Sequence, residues 1–361
     1  MKGKNVNGNI GGLRKKIDAV DSKILKLLNE RAHYAIKIGA SKKKEGRGLY
    51  IPDREKEIIR HLVSANKGPL PDENLVDIFR EVLNSNRALQ GRLKISFFRL
   101  EASFTHQAAL KNFGRGSEYI GARAISDVFS AVEKGLADYG VVPVENTSEG
   151  IVNHTFDMFF ESGLSICAEI NMSVDQCLLS KAAAGSAVAR VYSHYQAIAQ
   201  CRNYIEDNLA GAKIVEVAST SEAARLAAKD KKSAAIASSL AADIYGLKIL
   251  ARKIQDTPEN YTRFLSIGKC GPGRSGYDKT SVMFSIKDRI GALHDILVAF
   301  KKRKINLTKI ESRSTKKKAW EYVFFIDFDG HIEDKKVKEA LEDMEEFCVF
   351  LKVLGSYPKA E

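Results

Sequence analysis

Four cations stand out in the first part of the chain: Arg14, Arg31, Lys42 and Arg54, accompanied by Glu55, Asn86 and Gln90. Guanidinium forks suit carboxylates, and a lysine offers a compact charge to an oxygen that gains negative charge. At about 100° per residue, Arg31 and Lys42 fall roughly 20° apart around a helix, whereas Arg14 lies about 100° from Arg31 and faces a different neighbour. Completing the site of a partner subunit is a natural task for such a residue. Asn86 and Gln90, four apart, share one face of a later helix. Read by position alone, the same residues also fit the solvated basic surface of a helical bundle.

A second group of polar motifs follows. Val142-Pro143-Val144-Glu145-Asn146-Thr147-Ser148-Glu149-Gly150 places a carboxylate, an amide and hydroxyls directly after an apolar strand, where α/β proteins commonly bind ligands. Later come Tyr192-Ser193-His194-Tyr195-Gln196, Ser219-Thr220-Ser221 and Asn260-Tyr261-Thr262-Arg263-Phe264. Each alone also fits a capped helix start. A third group begins with Arg289-Ile290-Gly291-Ala292-Leu293, which follows a strand and opens a helix, offering backbone N–H groups to a carboxylate. It continues in the next strand with Glu311-Ser312-Arg313.

Three textures position these groups. Ile10, Leu13, Ile17, Val20, Ile24 and Leu27 recur at three- and four-residue steps, as a packed helical seam requires. Pro52-Asp53-Arg54-Glu55 starts a second helix, and a third carries Leu75, Ile78, Phe79, Val82 and Leu83 towards Gln90. So long an amphipathic helix cannot bury its seam against two short partners, which predicts a homodimer or higher homo-oligomer. After Gly91, short apolar strands alternate with alanine-rich helices. The expected strands are Lys94–Phe98, Gly140–Val144, Val174–Leu179, Ala189–Tyr192, Lys213–Val217, Ala234–Ala237 and Phe264–Gly268; the helices include Ser126–Gly135, Gln196–Asn208 and Glu222–Ala228. That alternation predicts α/β architecture with two subdomains facing a cleft. Gly271-Pro272-Gly273-Arg274-Ser275-Gly276 reads as a linker. The last segment reads strand–helix–strand–strand–helix–strand, a ferredoxin-like α+β unit, with Trp320–Phe328 as one strand.

Composition narrows the class. With 361 residues, 44% hydrophobic and 28% charged, the chain has room for two or three domains with buried cores. Its five cysteines are scattered without a C-x-x-C pair, which argues against a disulfide framework or zinc site and for a reducing, cytoplasmic setting. No apolar run approaches a bilayer span, and the first residues lack the apolar stretch of a signal peptide. A net charge of +12 points to anionic partners. The basic runs Lys42–Lys44, Lys301–Lys304 and Lys316–Lys318 lack interleaved aromatics and accompany no nucleic-acid motif. No nucleic-acid or membrane partner is expected.

Taken jointly, Leu13-Arg14, Asp18, Asp21, Asn29-Glu30-Arg31, Lys42, Arg54-Glu55 and Gln90 resemble the all-helical chorismate mutase family across residues 1–91. The resemblance implies that Arg14, Arg31, Lys42 and Arg54 grip the carboxylates and ether oxygen of chorismate. Glu55, Asn86 and Gln90 would complete the polar contacts. Asn86 stands where serine is common, and Ile51 where some members carry aspartate. The rearrangement needs no cofactor, metal or nucleophile, only a compact conformer and stabilised charge on the ether oxygen.

The second group, in its order, resembles prephenate dehydratase over residues 94–270, a periplasmic-binding-protein-like fold. This implies that Thr262 is the essential hydroxyl and Arg263 the anion clamp, with Glu145, Asn146, Ser193 and Gln196 lining the cleft. Threonine is a poor acid, so Glu145 or His194, with a pKa raised by burial, is the expected proton source. Arg99-Leu100 replace a usual Gly-Pro, and Tyr195 a common proline. Residues 279–358 resemble the ACT domain attached to such enzymes, which implies phenylalanine as effector at Gly291, Ala292, Leu293, Glu311, Ser312 and Arg313, between paired domains. His294 and Ser314 depart from the usual apolar residue and proline. A bifunctional enzyme of phenylalanine biosynthesis, acting on chorismate and prephenate, is the expectation. The departures leave open a working mutase whose dehydratase-like domain serves only ligand sensing.

Overall fold

The computed structural model describes residues 7–46, 48–148, 150–182, 188–287, 289–314 and 322–360, with side chains from Ile10 onward. Glu149, the lysines at 316–318 and Trp320-Glu321 lie outside the described residues. The chain divides into one unit formed by Met1–Ile51, Ile58–Leu93 and Gly114–Ser117, and another formed by Pro52–Glu57, Lys94–Phe113 and Glu118–Glu361.

The helical segment has α1 (Asn7–Lys44), α2 (Pro52–Ala65) and α3 (Asp72–Gln90). Lys42, Lys43 and Lys44 close α1, and Asp53 and Glu55 open α2 behind Pro52, each suited to the helix dipole at that end. At Gly39 a Cβ would come within 2.7 Å of Gln90, so glycine is what lets α1 and α3 approach there. The seam of α1 stays open, with Ile10, Leu13, Ile17, Val20, Ile24 and Leu27 between 45% and 62% exposed.

After the helical segment come β1 (Lys94–Phe98), α4 (Phe104–Phe113), β2 (Glu118–Ala122), α5 (Ile125–Glu133), β3 (Tyr139–Asn146), β4 (Gly150–Ile151), α6 (Asn153–Glu161) and β5 (Ser165–Ser173). The chain then builds a second sheet from β6 (Cys177–Ser180), β7 (Arg190–Ser193), β8 (Lys213–Glu216), β9 (Ser233–Ala237) and β10 (Lys248–Arg252). Its helices are α7 (Tyr195–Gln200), α8 (Arg202–Asn208), α9 (Thr220–Ala227) and α10 (Ser239–Tyr245). Finally β11 (Tyr261–Gly268) returns to the first sheet, giving orders β2-β1-β3-β11-β5 and β10-β6-β9-β7-β8. The chain thus passes between the sheets at 174–176 and at 253–260. The strand expected at Val174–Leu179 spans one of these crossings and begins only at Cys177. The helix expected at Gln196–Asn208 breaks at the buried Cys201.

The last segment is β12 (Asp278–Ile286), α11 (Ala292–Lys302), β13 (Leu307–Ser314), β14 (Tyr322–Asp329), α12 (Lys335–Glu345) and β15 (Cys348–Pro358). Its antiparallel order β13-β14-β12-β15 is the ferredoxin-like unit. One face of this sheet packs on the first sheet of the dehydratase-like segment, where Met283, Phe325 and Leu354 join Val142, Val144 and Ile166 in one core. At Gly355 a Cβ would lie 2.5 Å from the carbonyl oxygen of Ile166, so the two backbones meet without a side chain between them. The basic run at 301–304 is not all solvated, because Arg303 pairs with Asp343 at 2.6 Å and with Glu339 at 3.4 Å. Among the described residues no helix is long and apolar enough to cross a membrane.

Candidate functional site

In the helical unit, the contact at Gly39 brings Lys42 to α3. Its Nζ donates to the carbonyl of Leu49 at 3.1 Å and reaches Oε1 of Gln90 at 3.5 Å. One turn back on α3, Asn86 is buried, donates Nδ2 to the carbonyl of Val82 at 2.6 Å, and keeps a buried Oδ1 with no partner among the described residues. Arg31 is half-buried on α1. Arg14 is exposed. It precedes Lys42 by 28 residues, about 42 Å along a straight helix, so the two cannot hold one small molecule. Arg54 and Glu55 lie on the first turn of α2, where the Arg54 guanidinium pairs with Glu57.

The dehydratase-like segment holds a cavity of about 310 Å³ walled by the first sheet on one side and by the starts of α7 and α9 on the other. Strands β3 and β11 are antiparallel neighbours, with Thr262 opposite Asn146 and Arg263 opposite Glu145. Side chains alternate along a strand, so each pair takes its own face. Asn146 and Thr262 line the cavity. Oδ1 of Asn146 accepts the Ser148 N–H at 2.8 Å, which fixes the amide so that Nδ2 donates to Oγ1 of Thr262 at 2.7 Å and to Oδ1 of Asn260 at 2.8 Å. Thr262 is 8% exposed, and accepting this bond leaves its hydroxyl proton for the cavity. Gln196 and His194 line the wall opposite, at the start of α7, together with Ser219, Thr220 and Ser221 at the start of α9. There Oγ of Ser219 caps α9 by accepting the Glu222 N–H at 3.0 Å.

Three expected cavity residues lie elsewhere. Arg263 is turned to the ferredoxin-like sheet, where its guanidinium meets Glu169 at 2.9 Å, Asp327 at 2.6 Å and the hydroxyl of Tyr357 at 3.0 Å. Burial opposes its charge, but Tyr357, Asp327 and Glu169 outweigh that and hold it firmly protonated. Glu145 shares this outer face and pairs with Lys309 of β13 at 2.6 Å. Ser193 is fully buried and donates to the carbonyl of Ile236 at 2.7 Å, fastening β7 to β9. The proton sources fare no better. Glu145 is outside the cavity wall, and burial, followed by the charge of Arg99, lowers the pKa of His194 instead of raising it. An imidazole loses charge on burial, the reverse of a carboxyl.

Two amides escaped sequence reasoning. Gln176, at the crossing between sheets, donates Nε2 to Oε1 of Gln200 at 3.3 Å, and Asn260 reaches the same oxygen at 3.3 Å. Gln176 and Gln200 also line the cavity. Gln200 follows Gln196 by one helical turn, a spacing that could have marked it.

In the last segment, Gly291 has φ 80° and precedes α11, whose first residue, Ala292, is buried while Leu293 is half-buried. Glu311, Ser312 and Arg313 belong to the edge strand β13, separated from β12 by β14. Arg313 is not a free effector clamp. It donates to the carbonyl of Asn153 and pairs with Asp157 of α6 at 2.9 Å. Ser312 is exposed.

Comparison with protein families matches residues 13–91 to chorismate mutase type II, 95–271 to prephenate dehydratase and 280–346 to the ACT domain. A relative from Aquifex aeolicus named bifunctional chorismate mutase/prephenate dehydratase is 49% identical over 352 residues, covering 96% of this chain and 97% of its own. This chain belongs to that bifunctional family. Among solved structures, a prephenate dehydratase from Arthrobacter aurescens in complex with L-Phe is 32% identical with TM-score 0.67, covering 74% of this chain and 90% of its own. A structure described as a novel type of quorum-quenching acylase, GqqA, is 27% identical with TM-score 0.66, over 74% of this chain and 98% of that one. The fold alone therefore does not fix the chemistry. The three family matches in one chain, and the full-length relative, do.

Proposed function

We infer that this chain converts chorismate to prephenate and prephenate to phenylpyruvate, and that phenylalanine regulates it. The match of mutase, dehydratase and ACT segments to a relative over 96% of the chain carries this reading. It favours two working activities over a dehydratase-like domain kept for sensing.

For the first step, Lys42 and Gln90 are positioned to stabilise negative charge on the ether oxygen as the bond breaks. Arg31 and Arg54 bind carboxylate, and Glu55 and Asn86 supply the remaining polar contacts. Arg14 serves the pocket of a second copy. Two observations support a homodimer: the distance of about 42 Å along α1, and a seam of large apolar residues that α1 leaves open. The five cysteines are free, which suits a reducing, cytoplasmic setting.

For the second step, prephenate takes up a proton and releases carbon dioxide and water as the ring becomes aromatic. Aromatisation supplies the driving force, so the protein has to ease departure of the ring hydroxyl and orient the scissile carboxylate. Thr262, polarised by Asn146, donates a hydrogen bond to the departing oxygen. The amides of Gln176, Gln196 and Gln200 hold the remaining polar groups. Effector binding uses the backbone at Gly291–Leu293 of one ACT domain and Glu311–Ser312 of another, since these motifs occupy different parts of one domain. Incubation with prephenate at neutral pH tests the dehydratase directly. Phenylpyruvate is the expected product, and its absence would sink this half of the reading.

A further inference from the structure

With Arg263 facing the ACT sheet, the dehydratase cavity needs another cation for a dianionic substrate. Among the described residues that line it, Arg99 is the one permanently charged side chain, and no carboxylate joins it. Its surroundings are specific. Arg99 follows β1 in the first sheet, and its Nη1 crosses the cleft to the carbonyl of Ala218, just ahead of α9, at 3.3 Å. The guanidinium also lies 5.2 Å from the ring centroid of Phe98.

The backbone gives a second, independent observation. Arg99 has φ 77°, in the left-handed region where a side chain is strained and glycine is not. Its N–H donates to the carbonyl of Ala122 at 2.8 Å, just past the last β1–β2 pair. A position that favours glycine yet carries a long cation aimed into a cleft is an outlier of the kind that accompanies ligand clamps.

We propose that Arg99 is the carboxylate-binding residue of the dehydratase site, holding prephenate between the two subdomains. The proposal rests on the dehydratase reading above. In the resting protein the Ala218 carbonyl occupies one of its donors, and substrate carboxylate takes the others. The nearby serine and threonine hydroxyls at the start of α9 complete the anion's surroundings.

Steady-state kinetics of the full chain on prephenate test this, with Arg99→Gly, Arg99→Gln and Arg99→Lys. Glycine relieves the backbone while deleting the charge, so Arg99→Gly should keep its melting temperature and its mutase rate. Both neutral variants should raise KM for prephenate roughly tenfold or more, with a smaller change in kcat, and lysine should recover part of the loss. An Arg99→Gly chain with KM within about twofold of the parent, an effect too small for a lost charged hydrogen bond, would overturn the proposal while leaving the dehydratase reading intact. A parent chain that makes no phenylpyruvate would overturn both, and the parent control separates these outcomes.

Discussion

Thr262 and Asn146 meet across two strands at 2.7 Å, and their partners in sequence, Arg263 and Glu145, meet other residues on the opposite face. Thr262→Val should therefore lower dehydratase kcat by about 100-fold or more, the usual effect of losing a donor to a departing oxygen, while mutase activity stays constant. Steady-state assays of both reactions check it. His194 is held neutral, since its pKa is lowered from 6.5 by burial and then by Arg99. Its protonation is complete only well below that value, so dehydratase kcat should be flat from pH 7 to 8, and His194→Gln should stay within about tenfold of the parent, short of the usual loss for a general acid. A fall in rate with rising pH that His194→Gln abolishes would restore the imidazole as acid. The motif strings around these residues are legible in the sequence, but taking each string as one cavity wall overlooks the alternation of a strand. Consecutive strand residues point oppositely, so Glu145 and Asn146 could not both line one cleft, nor could Thr262 and Arg263.

At the scale of elements, the buried network of Arg263, Glu169, Lys279, Asp327 and Tyr357 ties β11 and β5 to the ACT sheet. Arg263→Met leaves Glu169 and Asp327 without their common partner and should cost about 3–5 kcal/mol in urea denaturation. Burial acts to raise the pKa of Glu169, yet Arg263 and Lys279 outweigh it, and the folded value lies below the ordinary 4.5. The contribution of Glu169 is accordingly complete above that ordinary value and lost as pH falls through the lowered folded one. Denaturation of the parent and of Glu169→Gln at several pH values should show their difference narrowing on acidification. The βαββαβ order and the helical segment could be read from periodicity, because each element there is long enough to show its repeat. The crossing at 174–176 could not, since Val174-Asp175-Gln176 runs without a glycine or proline into the apolar Cys177-Leu178-Leu179 and reads as one strand with it.

At the scale of the whole molecule, a mutase pocket completed by Arg14 requires a second copy of the chain. Arg14→Ala and Lys42→Ala should each abolish the mutase. Mixed and reassociated in equal amounts, they should recover about a quarter of the parent rate, because half the dimers are mixed and each of those has one intact site. No recovery would return Arg14 to its own chain's surface. The most direct measurement supplies chorismate alone and follows prephenate and phenylpyruvate together, with and without phenylalanine. Transient prephenate followed by phenylpyruvate is the expected course, with phenylalanine changing the rate of the second step. Prephenate that accumulates to the full amount of chorismate consumed, with no phenylpyruvate, would contradict it.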